Sequence, residues 1–527
     1  MTRYNDPCSS ALIRGENLMQ PESLLRTLED FLAESPAALV FEDGEPIFDL
    51  AVAHYSVSAD HGKCLLHLWS DERNTVRRVL DAETKKGALL LSVQRFGQRK
   101  PSRLEILRHG DRRTPQARTV GRRQYCKLLQ KSLQKQFPDL TSTSLTSAMD
   151  LERSFSPVYA RGLLRRGRSA FAVFGVNAQE LQSSIDGALT FGLLWLEHCR
   201  TKEAARTVVE GLKLFLPPGT SAVVRERLAC LNHDLAKFEL YEFNEAEQSL
   251  QLLDCRDRGN IATHLVKCLN PAAAKERLKP AVDRVLSLVQ YPGKVQLVAV
   301  SASEIAFRLH GLEFARAKSK ASDHEITFGT GPNETVLNGE TEKLFAHLLS
   351  RLVETRLANG NHNHALWRMQ PERWLESLIV KNVAALDSSF DPSFVYSQVP
   401  AFSASDRAMI DVLTCTREGR LAVLELKADE DIHLPLQGLD YWARVQWHHL
   451  RGEFTVNGYF AGKDLSPQPP LLLLISPALR VHPATDTLLR YLSPEIDCTL
   501  LGVDERWRDG LRVVFRKRAE TRNQAHA

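Results

Sequence analysis

"IDVLTCTREGRLAVLELKA", residues 410–428, decides how this chain is read. Two apolar runs flank "REG" at 417–419, and within them sit Asp411, Glu425 and Lys427. Desolvating a charge is expensive, so three charges on strands fit for the middle of a sheet need a reason. The register can be worked out. If Arg417, Glu418 and Gly419 form a three-residue hairpin loop, the glycine takes the left-handed conformation such a loop requires. Thr416 then pairs with Arg420, and Asp411 faces Glu425. Side chains alternate faces with period two, so Lys427 joins Glu425. A two-residue loop instead moves Asp411 to a diagonal, still within reach.

Two adjacent carboxylates repel unless something positive lies between them. Lys427 alone gives a structural ion triad. A divalent cation does better, because Mg²⁺ takes oxygens from one or two carboxylates and keeps waters for the rest. The upstream segment "PERWLESLIVKNVAALD" has proline at a helix N1 position, and its Glu372 and Glu376, four apart, share a face. Either could add a third acid. Lys427 would then orient or deprotonate a water, while the metal stabilises charge on a phosphate. Metal-assisted hydrolysis of a phosphodiester suits this geometry.

The ordered set Glu376, Ile410-Asp411, Glu425-Leu426-Lys427 and Gln437-x-x-x-Tyr441 resembles the PD-(D/E)XK nuclease superfamily. Within it the likeness is to RecB-type nucleases and the C-terminal module of NucS-type endonucleases. It extends to "LESLIVKNVAAL" and "YSQVP", covering roughly residues 370–450. Ile410 stands where the superfamily nominally has proline. The resemblance implies a restriction-endonuclease-like α/β module over 346–515 and Mg²⁺ or Mn²⁺ on Asp411, Glu425 and Glu376. It also implies Lys427 at the nucleophilic water, Gln437 and Tyr441 in support, and a nucleic-acid substrate, DNA favoured over RNA. Arg444 lies near Gln437 and Tyr441 and is a candidate nucleic-acid contact. The same fold hosts inactive relatives, so a binding protein or scaffold is the alternative.

The chain has 527 residues, 43% hydrophobic and 25% charged, which fits a globular protein of two to four domains; with the strand and helix patterning, a multidomain α/β architecture is expected. Its longest apolar stretches fall short of a membrane span, and residues 1–18 lack a signal-peptide pattern and are expected to be a disordered leader. Nine scattered cysteines with no CxxC point to a reducing cytoplasm. The net charge of +4 hides a cluster: 95–136 holds thirteen Lys/Arg against two acids. Arg112, Arg113, Arg118, Arg122, Arg123, Lys127 and Lys131 are therefore candidate phosphate contacts, with a solvated helix face as the plainer account.

Strand patterning over 37–107 predicts a small antiparallel β domain (19–110), sandwich- or barrel-like. There Arg77, Arg78, Arg95, Trp69 and Phe96 could face single strands or serve as core and rim. Residues 111–290 are expected to be basic and mainly helical, 291–345 a β-rich connector, and 516–527 a flexible basic tail. Glu210 and Lys213 echo the later acid–lysine pair, but on a strand they point to opposite faces. His362 and His364 form an HxH in a loop without metal partners. His433 is expected in a surface loop. Trp442, Trp447, His448 and His449 could stack on bases, with core packing the plainer account. The sequence leaves the oligomeric state open, a dimer included.

Overall fold

The fold is described from a computed structural model. It describes residues 20–519 apart from 36–37, 43–44, 51–53, 61, 70–73, 86–87, 95–100, 108–114, 151–154, 205, 257–260, 262, 321–322, 330–333 and 404–408. The chain is mixed α/β, with four sheets among the described residues, and divides into two compact units. One comprises 1–128 with 147–157, the other 129–146 with 158–527. The expected leader over 1–18 lies outside the described residues, as do Arg95, Phe96, Arg112 and Arg113. Among the described residues no helix is long and apolar enough to cross a membrane.

In the first unit seven antiparallel strands between Leu39 and Leu107 form one sheet. It is neither a sandwich nor a barrel. Helix Pro21–Ala33 supplies the second layer, laying Leu24, Leu28, Phe31 and Leu32 against Leu66, Leu89, Leu91 and Ile106. An amphipathic helix can cover a sheet face as well as another sheet can. Arg77 is held by Glu42 through two hydrogen bonds of 2.7 and 2.8 Å, so it is a structural partner rather than a free cation.

The second unit corrects the expectation of a mainly helical middle. Helices occupy Pro115–Gln136 and Ala188–Glu203 as the periodicity predicts, but the region also holds a six-stranded sheet, against which Ala188–Glu203 packs. Its strands are Thr141–Ser142, Tyr159–Arg166, Ser169–Val176, Val208–Leu216, Lys237–Asn244 and Ser249–Leu253, adjacent in chain order. Successive pairings are antiparallel, antiparallel, parallel, parallel and antiparallel. The strands pass for helix in a sequence because a strand buried on both faces loses its period-two signature. Ser169–Val176 is of this kind, with most residues buried, whereas Val208–Leu216, which carries Glu210 and Lys213, forms the strand its sequence suggests. Lys213 pairs with Glu239 amid the rings of Phe137, Phe171 and Tyr241, while Glu210 accepts from Lys237.

The last sheet repeats this plan. Strands Phe390–Ser403, Met409–Thr416, Leu421–Leu426, Leu471–Pro477, Cys498–Val503 and Val513–Arg518 pair in the same order and the same five directions. Helices Leu434–Leu450 and Thr485–Leu489 make the two parallel crossovers, as Ala188–Glu203 and Ala222–Leu228 do in the middle. Thr263–Leu265 adds one edge strand. The expected flexible tail is corrected, since 516–518 belong to the outer strand; 520–527 lie outside the described residues.

The connector is a module of its own. Five strands between Val295 and Val336 pack with helices Pro271–Arg277, Lys279–Ser287 and Glu342–Thr355 around one core. Helix Glu342–Thr355 therefore belongs to this module, not to the start of the last one, because Phe345, Leu349 and Leu352 are spent on its core.

Candidate active site

The hairpin forms in the predicted register. Val412 pairs with Leu424 and Cys415 with Leu421, and the Thr416 N–H donates to the Arg420 carbonyl at 2.8 Å. Gly419 has φ +86°, and a Cβ there would also meet the Asp464 carbonyl at 2.0 Å. That loop tolerates only glycine. Asp411 thus falls opposite Glu425, the two interacting side chain to side chain.

Each acid has a different environment. Glu425 is 2% exposed; its Oε1 lies 3.7 Å from Lys427 Nζ, and its buried Oε2 has no hydrogen-bond partner. Burial, then the charge of Asp411, pushes its carboxyl well above the usual carboxylate range. Asp411 Oδ2 accepts the Leu426 N–H at 3.1 Å and Oδ1 accepts from Gln398 Nε2 at 3.3 Å. Burial raises this carboxyl too, against that backbone hydrogen bond. Glu376, on helix Pro371–Lys381, is buried and raised for the same first reason, while Glu372 stays partly exposed. Glu376 Oε2 accepts from Arg373 Nη1 at 2.9 Å and from Gln398 Nε2 at 2.8 Å.

Gln398 therefore bridges two of the three acids. Its neighbours Ser397 and Val399 pair with Val412 and Ile410, which sets Gln398 opposite Asp411, at φ +53°. A non-glycine residue in that left-handed region is strained, and such strain concentrates at functional sites. Gln398 lies within "YSQVP", and the signal for its role is the register of strands Phe390–Ser403 and Met409–Thr416, which sets it opposite Asp411. Arg373, absent from the expected site, carries a similar signal: it stands three residues before Glu376 on one helix face. Arg308, from the five-stranded module, is half-buried and close enough for the charge of Glu376 to act on it.

Lys427 Nζ also lies 3.6 Å from Asp431 Oδ2, at the more open side of the site. On helix Leu434–Leu450, the buried Gln437 Oε1 has no partner. Burial and the charges of Glu425 and Asp411 push the Tyr441 phenol upward. So Asp411, Glu425, Lys427, Glu376 and Tyr441 meet by their electrostatics, with Gln437 one turn before Tyr441. Among the described residues, however, no three His, Cys, Asp or Glu side chains are gathered closely enough to hold a metal ion. Glu376 is engaged instead by Arg373 and Gln398.

Arg444 is corrected as a nucleic-acid contact. It is 4% exposed and acts on Glu226 of helix Ala222–Leu228, because the apolar face of its helix is turned inward. Trp442 is buried and donates to the Pro470 carbonyl at 2.8 Å. His433 lies in the turn entering helix Leu434–Leu450, as expected, but its side chain is turned inward: Nδ1 is 2.9 Å from Thr190 Oγ1 and its ring packs edge-on against Phe191. His364 caps helix Ala365–Arg368. Arg123, Lys127 and Lys131 are exposed at i, i+4 and i+8 on helix Pro115–Gln136, forming a cationic ridge, with Arg122 partly buried and Arg118 in the first turns. No protein family, curated protein or solved structure matches the chain.

Proposed function

We propose that this protein is a metal-dependent nuclease hydrolysing phosphodiester bonds, DNA being the favoured substrate. The observation that carries the reading is the buried pair Asp411–Glu425 with Glu425 Oε2 left without any donor. An orphaned oxygen at full burial is costly, and ionising Glu425 beside Asp411 costs more again. The donor set fits Mg²⁺ or Mn²⁺ held through Asp411 and Glu425, cations that need only one or two protein carboxylates. Glu376 would join after exchanging Arg373 or Gln398 for the ion, or act through water. Such an ion supplies Lewis acidity toward the phosphate and an acidified water.

The remaining chemistry belongs to the chain. Lys427, beside Glu425 and open to solvent on one side, would donate to the water and orient it. Arg373, 37% exposed at its side chain, is free on its outer edge to meet a phosphate oxygen. Gln398 fixes the separation of Glu376 and Asp411, and Tyr441 and Gln437 close the inner wall. The test is cleavage of labelled single-stranded DNA, duplex DNA and RNA with Mn²⁺, Mg²⁺ or EDTA, comparing wild type with Lys427→Ala. Metal-dependent products from wild type alone support the reading. Binding without cutting by both proteins would transfer it to a non-catalytic nucleic-acid-binding protein.

A further inference from the structure

The shared plan of the middle and last sheets extends to residue positions. Gly192 and Gly438 occupy matching places on the first crossover helices, each pressed against two leucines. A Cβ at Gly192 would come within 3.0 and 3.1 Å of Leu214 and Leu212. At Gly438 it would come within 2.6 and 3.2 Å of Leu474 and Leu472. The leucine strands are thereby matched, and the register carries the match onward. Phe174 lies beside Leu214 and opposite Arg161, whereas Glu425 lies beside Leu474 and opposite Asp411. Two residues on, Val176 stands where Lys427 does. On the helices Phe191 replaces Gln437 and Trp195 replaces Tyr441.

All five polar positions have thus lost their chemistry. Phe174 and Val176 are buried, and the rings of Tyr159 and Phe174 lie 4.9 Å apart, those of Tyr159 and Phe191 5.1 Å apart. The Arg161 guanidinium lies 5.9 Å from the Trp195 ring. An apolar plug with one cation offers nothing to a divalent ion.

The two modules also meet as symmetric partners would. Leu231 and Leu492 form an antiparallel bridge. The Asn232 N–H donates to the Tyr491 carbonyl at 2.8 Å, and the Ser493 N–H to the Cys230 carbonyl at 2.9 Å. Reciprocal bonds come with any antiparallel bridge, but here both segments follow the second crossover helix of their module, Ala222–Leu228 and Thr485–Leu489, so the bridge joins matching places in the two modules. One continuous core spans both modules, including Leu193, Leu214, Leu439 and Leu474. Arg227 grips Asp440 across the junction with bonds of 2.8 and 2.7 Å.

We propose that residues 141–253 are a non-catalytic counterpart of the last module, and that the pair acts on duplex DNA as an intramolecular pseudo-dimer with one live site, cutting one strand per encounter. This rests on the nuclease reading above. The strands of a duplex are related by local two-fold axes, so cutting both in one encounter takes two sites related in the same way. Here the second position is filled by Arg161, Phe174 and Val176.

The test is a time course on supercoiled plasmid with Mn²⁺, run beside a labelled single-stranded oligonucleotide, with wild type and Glu425→Gln. Expected is accumulation of nicked circle at a rate first order in protein, linear DNA appearing only after a lag, and loss of both with Glu425→Gln. Supercoiled DNA passing to linear without a nicked intermediate would overturn the proposal. So would a second-order dependence on protein, which would assign the second cut to another copy of the chain. Cutting of the oligonucleotide but not the plasmid overturns the nicking proposal alone. No cutting of either substrate overturns the nuclease reading and this proposal with it.

Discussion

The middle and last sheets run the same six-strand course, yet the spot opposite the first crossover helix is treated in contrary ways. In the last module it holds Asp411 and Glu425, both pushed toward protonation by burial, with Lys427 alongside. In the middle module it holds Tyr159, Phe174 and Phe191, packed ring to ring. The backbone tolerates both solutions, so the acids are not there for the fold. Apolar side chains fill the equivalent space at no electrostatic cost, which is why a buried charge cluster that persists beside its apolar counterpart points to chemistry.

The sharpest way to break this contrast is to exchange function at one position in each module. Glu425→Gln is expected to lower the cleavage rate by about 10³-fold, the scale on which losing a preorganised charge stabiliser acts. Phe174→Leu, at the matched position, should leave the rate per folded molecule unchanged. First-order rates on a labelled oligonucleotide measure both; a comparable fall for Phe174→Leu would show that the middle plug takes part.

Next in size is the junction. Arg227→Ala leaves Asp440 unpaired beside a largely buried interface and should cost about 3 kcal/mol in urea unfolding. Replacing the pair together, Arg227→Met with Asp440→Leu, should recover most of that loss. If the single substitution is silent, the modules do not depend on one another as the continuous core requires.

A smaller effect separates the acids' cost from their use. Glu425 ionises above its ordinary value of 4.5, so the folded chain keeps a proton that the unfolded chain releases. Stability without metal therefore falls as pH rises from about 4.5 through the folded value. Glu425→Gln removes this term and should raise Tm at pH 7 in EDTA by ~2 °C or more. Mn²⁺ should raise Tm of the wild type and not of the variant. A wild type indifferent to Mn²⁺ would remove the cation from the site.

The smallest effect concerns the cationic ridge in the first part of the chain. Replacing Arg123, Lys127 and Lys131 together by glutamine should flatten the salt dependence of DNA binding by about one logarithmic unit of slope per residue. The cleavage rate at saturating DNA should not change. An unaltered slope would assign the ridge to solvent.

Some of this was written in the chain locally. The hairpin around Gly419, the facing of Asp411 and Glu425, the helix carrying Glu376 and the helix carrying Gln437 and Tyr441 all follow from turn chemistry and from periods of two and 3.6. These are relations between residues close along the chain, where few conformations compete. The tertiary structure decided the rest. Gln398 reaches Asp411 and Glu376 only through the pairing of two strands; Arg444 is turned from solvent toward Glu226. The likeness of the middle sheet to the last is carried by strand order, since Arg161 and Phe174 share nothing chemically with Asp411 and Glu425. Its strand Ser169–Val176, buried over most of its length, lacks the alternation that marks a strand in sequence. Packing accepts any apolar residue of suitable volume, so the architecture survives where the letters have changed.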